Sequence, residues 1–184
     1  MSELFSIQLQ NRQQQGRDGV WLDLPTTTEQ VQAALRQIGI SSDNPQGLFI
    51  SGYFAEEEKR FAIPYNMVLA SNVDELNFLA SRLETLSTGE RAELNAALQA
   101  PQSELFSIGR ITDFPENVDY YVHLPDVHGP AQLGDYYLNR SGMVNMPEEW
   151  KGGIDTAQFG RYVAQQEQGV FTEYGYIVKS GDVW

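Results

Sequence analysis

The hexapeptide SELFSI stands at Ser2–Ile7 and returns letter for letter at Ser103–Ile108. Its reading decides how many β-containing modules the chain has. In the first copy, ELFSIQLQN mixes apolar and polar residues at strand spacing and predicts a β-strand. The polar turn NRQQQGRDG follows and ends in Asp18-Gly19, a hairpin signal. GVWLDL predicts a second strand, stopped by Pro25. Thr26, with Glu29 three residues on, has the spacing of a capping box. Val31, Ala34, Leu35 and Ile38 share one face of the helix it opens, and Gly39 stands at its C′ position. After the loop SSDNPQG, the run GLFISGYF predicts a third strand. Residues 1–60 thus form a strand–strand–helix–strand module.

The cluster EEEKR at 56–60 predicts a solvated loop. Beyond it the period becomes helical. Ser71-x-x-Asp74 is a plausible cap, and Val73, Leu76, Leu79, Ala80, Leu83 and Leu86 trace an apolar stripe. Ser87 and Glu90 have capping-box spacing, followed by Ala92, Leu94, Ala97 and Leu98. A helical hairpin is expected over 61–102. Pro101 ends it and SELFSI begins again.

From there the outline of the first module recurs. Leu24-Pro25 has a counterpart in Leu124-Pro125, VWLDL in VDYYVHL, and GLFISGYF in GVFTEYGYIV. An extra helical piece at 147–166 interrupts this third module, 103–184. Within it Asp155-x-x-Gln158 predicts a capped helix burying Phe159, Tyr162 and Val163. Duplication of a small unit and convergence on one both account for the pattern. Either way SELFSI is expected to mark the first strand of two end modules that flank a helical middle, an α+β chain of three small subdomains.

Composition limits the function. There are 25 Asp and Glu against 12 Lys and Arg, a net charge of −13. Such a surface repels nucleic-acid backbones and suits a basic partner. No cysteine is present, which removes disulfides, thiolate metal sites and cysteine nucleophiles. No run approaches the ~20 apolar residues of a membrane span, and no leader pattern opens the chain, so a cytoplasmic protein is expected. His123 and His128, with Asp126 between them, are spaced five apart, which neither helix nor strand presents together; they are expected to be exposed loop histidines. No phosphate loop, dinucleotide fingerprint or nucleophile elbow occurs, and the carboxylates are scattered. These observations point to a binding protein, neither an enzyme nor a cofactor carrier.

The run YYLNRSGMVNMPEEWKGGIDTAQFGRYV, residues 136–163, resembles the signature region of ArdA-type antirestriction proteins. Gly142, Met146, Pro147, Ile154, Asp155, Phe159, Gly160 and Arg161 fall in the family's order. Gly153 stands where the family carries an aromatic, and Tyr162-Val163 where it carries Asp-Leu. Gly19 to Pro25 resembles the family's N-terminal Gly-x-Trp motif, and DELNFLASRLETLSTGERAELNAAL resembles its helix pair. The resemblance implies an elongated acidic homodimer of three domains, carried by mobile elements and working in the bacterial host cell. It implies a DNA mimic that occupies the groove of Type I restriction-modification enzymes, with no catalysis, cofactor or direct nucleic-acid binding. On that reading the partner-binding acids are Asp74, Glu75, Glu84, Glu90, Glu93, Glu116, Asp119, Asp126, Asp135, Glu148 and Glu149, and the signature residues serve structure and the dimer contact. The other function open to an acidic chain is an adaptor for a different basic nucleic-acid-handling protein.

Overall fold

The computed structural model describes residues 3–14, 18–41, 45–101 and 103–181. Ser2 of the first hexapeptide, residues 15–17 of the polar turn, 42–44 of the SSDNPQG loop, Gln102 and 182–184 lie outside the described residues. The strands are β1 (Phe5–Asn11), β2 (Val20–Leu24), β3 (Leu48–Phe54), β4 (Tyr121–Leu124), β5 (Val170–Thr172) and β6 (Gly175–Lys179). The helices are α1 (Thr28–Gln37), α2 (Tyr65–Leu69), α3 (Val73–Glu84), α4 (Thr88–Gln99), α5 (Ile108–Thr112), α6 (Pro130–Asp135), α7 (Glu148–Lys151) and α8 (Thr156–Glu167). The chain is α+β. It divides into two compact units, 1–87 with 104–116 and 88–103 with 117–184. The two helices expected in a middle module fall in different units, α3 in the first and α4 in the second.

In the first unit an antiparallel sheet runs in the order β2-β1-β3. Strand alternation sends Phe5, Ile7 and Leu9 to the core, opposite Leu24, Leu22 and Ile50. The helix cap falls one residue later than its spacing predicts. Thr27 forms the capping box, and its partner is Gln30. Thr26 is committed elsewhere: its N–H donates to Asn77 Oδ1 at 2.7 Å, and its carbonyl accepts from Asn77 Nδ2 at 3.1 Å. That two-way bond ties α3 to the start of α1. Helix α3 buries Val73, Leu76, Leu79, Ala80 and Leu83 along the expected stripe. Each fully buried leucine contributes about 1.5–3 kcal/mol relative to exposure. Asn72 caps α3, accepting from the Glu75 N–H at 2.9 Å, because the Ser71 hydroxyl turns back to the Met67 carbonyl at 2.8 Å.

The second SELFSI is not a strand, and it does not open the C-terminal module. Residues 104–116 belong to the first unit. Ser107 is the N-cap of α5, its Oγ accepting from the Arg110 N–H at 3.3 Å. Leu105 is buried and Phe106 exposed, and α5 packs on α3. In the first copy the same letters pair with a strand on each side. Neighbours, not the hexapeptide, make the strand.

The second unit has an antiparallel sheet in the order β4-β6-β5, packed by α4. Val127, Leu133, Ala164 and Tyr176 form a core cluster. Helices α6 and α8 cross at two glycines. A Cβ on Gly160 would lie 1.8 Å from the Pro130 carbonyl oxygen, and one on Gly134 would lie 1.9 Å from that of Thr156. This close approach corrects the expected face of α8. Gly160 and Ala164 are its buried residues, Phe159 and Val163 are half-buried, and Tyr162 is 60% exposed. His123 is likewise no loop residue. It lies half-buried in β4, with Nε2 2.8 Å from the Tyr174 carbonyl oxygen. His128 is exposed as expected.

Candidate acidic interaction surface

The eleven candidate acids do not form one class. In the first unit Asp74 is exposed in the opening turn of α3, one residue before the half-buried Glu75. Acids there complement the helix dipole. Glu84, at the end of α3, is half-buried and already engaged. Glu116 is ion-paired with Arg82.

In the second unit Asp135 pairs with Arg140 at 2.9 Å and accepts from Asn139 at 2.8 Å. Glu148 pairs with Lys151 at 2.6 Å. Asp126, in the turn after β4, and Glu149, in α7, are exposed. Among the described residues, the carboxylates of Asp74, Asp119, Asp126 and Glu149 have no ion-pair or hydrogen-bond partner. Charge on such groups remains free to meet an incoming cation. Glu57 and Glu58, in the EEEKR run and not among those candidates, are also exposed, in a 3₁₀ turn where the charge of Lys59 lies near Glu58.

Glu90, Glu93 and Asp119 form a local cluster. Glu90 and Glu93 stand one turn apart on α4, and Asp119 lies in the 3₁₀ turn Val118–Tyr120 that leads into β4. Glu93 is half-buried, and its Oε1 is shielded from solvent without a hydrogen-bond partner. Burial pushes its carboxyl up to about 7, helped by the charges of Glu90 and Asp119. Near neutral pH this carboxyl therefore holds its proton more readily than an ordinary glutamate. Among the described residues no group of three His, Asp or Glu is arranged to hold a metal ion.

The signature residues have definite places in the second unit. Gly142, at φ +70°, follows the π-helical turn Tyr136–Arg140 that continues α6. Met146 and Ile154 are half-buried, and Pro147 sits at the N-cap of α7. Asp155 caps α8, accepting from the Gln158 N–H at 2.9 Å as its spacing predicts. Gly160 makes the crossing with α6, and Arg161 is exposed. Around them three large apolar side chains face solvent: Met143 at 75%, Trp150 at 67% and Tyr162.

A family model described as "Antirestriction protein (ArdA)" matches residues 15–178 of the 184-residue chain. The chain belongs to the ArdA antirestriction family. No curated protein sequence matches it significantly. The ArdA match spans both compact units, so it covers every candidate acid and the whole signature. Among the described residues no helix is long and apolar enough to cross a membrane.

Proposed function

We propose that this ArdA protein inhibits Type I restriction-modification enzymes by offering carboxylates where the enzyme's groove expects DNA phosphates. The family match over residues 15–178 carries the reading. The net charge of −13 and the partner-free acids Asp74, Asp119, Asp126 and Glu149 support it. B-form DNA offers about one charge per 1.7 Å of axis, and a basic groove that releases counterions to bind it accepts a comparable row of carboxylates. Acids already paired within the chain, such as Glu116, Asp135 and Glu148, contribute less because an internal cation competes for them. In the same reading the protein works as a homodimer inside the bacterial cell, with the signature segment and its exposed Met143, Trp150 and Tyr162 at the contact between copies.

The test is competition. The protein is titrated into a Type I enzyme bound to labelled DNA at low and moderate salt. Displacement that weakens with salt is expected. Glu149→Lys should lower the salt slope by about one, whereas Glu148→Lys should change it less. No displacement at large excess, against several such enzymes, would refute the mimicry and favour an adaptor role toward another basic protein.

A further inference from the structure

The second unit contains a cavity of about 370 Å³ that the acidic-surface reading does not use. Its volume lies within the range of small-ligand sites. One part of its wall is apolar, built by Ala100 and Pro101 after α4, Tyr121 of β4 and Val170 of β5. Another part is the C-terminal end of α8, with Glu167. The turn there is tightly specified. Gln168 takes the left-handed conformation at φ 59°, and a Cβ on Gly169 would lie 1.8 Å from the Tyr176 hydroxyl. That hydroxyl therefore sits directly behind the Gly169 wall. It donates to Glu167 Oε2 at 3.0 Å, while the Tyr137 hydroxyl donates to Oε1 at 2.5 Å.

Two phenols thus fix one carboxylate at the edge of the cavity. Burial and the adjacent Glu167 hold both phenols well above the usual tyrosine range, so both remain donors at any ordinary pH. A carboxylate has about four acceptor positions, and the phenols use two. Among the described residues no cationic side chain pairs with Glu167, including Lys179, which is in the same lining. An oriented carboxylate beside an apolar wall, without a counter-ion, matches a cation carried on hydrocarbon.

We propose that this cavity binds a guanidinium or ammonium group on a short apolar stem, with Glu167 receiving the cation and Ala100, Pro101 and Val170 receiving the stem. The site rests on the second unit alone, so a failure of restriction inhibition leaves it standing.

The test is a two-dimensional amide NMR titration of the full chain with two probes. Agmatine represents a free small molecule, and a doubly capped arginine represents a side chain from a protein partner. Saturable shifts of the Gly169 and Val170 amides are expected, and the tighter probe identifies the source. Glu167→Gln should weaken binding about tenfold or more, since it removes a charged acceptor. Val178→Phe, from the cavity lining, enlarges a wall side chain without altering Glu167 or either tyrosine chemically, and should abolish the shifts even if E167Q fails to fold. The proposal is overturned if neither probe gives saturable shifts at large excess. It is also overturned if folded E167Q or V178F binds as wild type does, or if 1-pentanol, a stem without the cation, binds as well as agmatine.

Discussion

Glu93→Gln should stabilise the protein above neutral pH and do little below pH 5. In the folded chain the Glu93 carboxyl is raised from 4.5 to about 7, first by burial and then by Glu90 and Asp119. Between those two values the folded state holds a proton that the unfolded chain releases. The resulting stability is fully present below pH 4.5 and is lost as pH rises through about 7. At about 1.4 kcal/mol per tenfold change in proton affinity, the ceiling on the loss is about 3 kcal/mol. Glu93 is only half-buried, so solvent screening reduces this to about 1–1.5 kcal/mol. Glutamine keeps the shape and stays neutral, so the variant avoids the loss. The assay is thermal unfolding by circular dichroism at pH 5, 6.5 and 8 and constant ionic strength, wild type against E93Q. A midpoint gain of about 3–6 °C is expected at pH 8, shrinking toward zero at pH 5. Comparing the two proteins at each pH cancels the titration of the other acids. An equal gain at pH 5 and pH 8, or no gain at pH 8, would refute the account of Glu93 as an acid held near neutrality by its surroundings.

Two further predictions concern packing. Gly160→Ala drives a methyl group into the Pro130 carbonyl, where the clash is with backbone and the two helices must separate; a loss of about 2 kcal/mol or more is expected in urea unfolding. Asn77→Ala removes both bonds to the Thr26 backbone and should lose about 1–3 kcal/mol in the same assay, because Thr26 is left with unpaired backbone groups.

The sequence is legible where a periodic pattern and its neighbours agree. Strands β1, β2 and β3, helix α1 between β2 and β3, and the α3 stripe follow from alternation or helical spacing. It is illegible where a contact from far away decides. Nothing within SELFSI distinguishes a strand at Phe5 from a helix cap at Ser107; flanking strands decide the first and α3 the second. The cap of α1 moves from Thr26 to Thr27 because Asn77, fifty-one residues on, takes the Thr26 backbone. On α8, hydrophobicity selects Phe159, Tyr162 and Val163, but a close helix crossing requires small residues, and Gly160 and Ala164 are what the core receives.

The same distinction governs the acids. Any sequence gives a count of carboxylates, but a partner meets only those whose charge is not already spent. Arg82 neutralises Glu116 across thirty-four positions, a pairing that no local pattern reveals, while Lys151 reaches Glu148 within one turn of helix. Glu93 is a candidate by its letter, yet burial, and then the charges of Glu90 and Asp119 beside it, make it hold a proton more readily than an ordinary glutamate. A cationic groove closing over that cluster would reverse the balance. Each lysine or arginine brought near it lowers the Glu93 proton affinity, so binding there would release a proton. Inhibition measured at pH 6 and pH 8 would therefore differ most if this cluster is in the contact. A pH-dependent inhibition would place the Glu93 cluster in the contact, which makes pH a way to locate the contact on the chain.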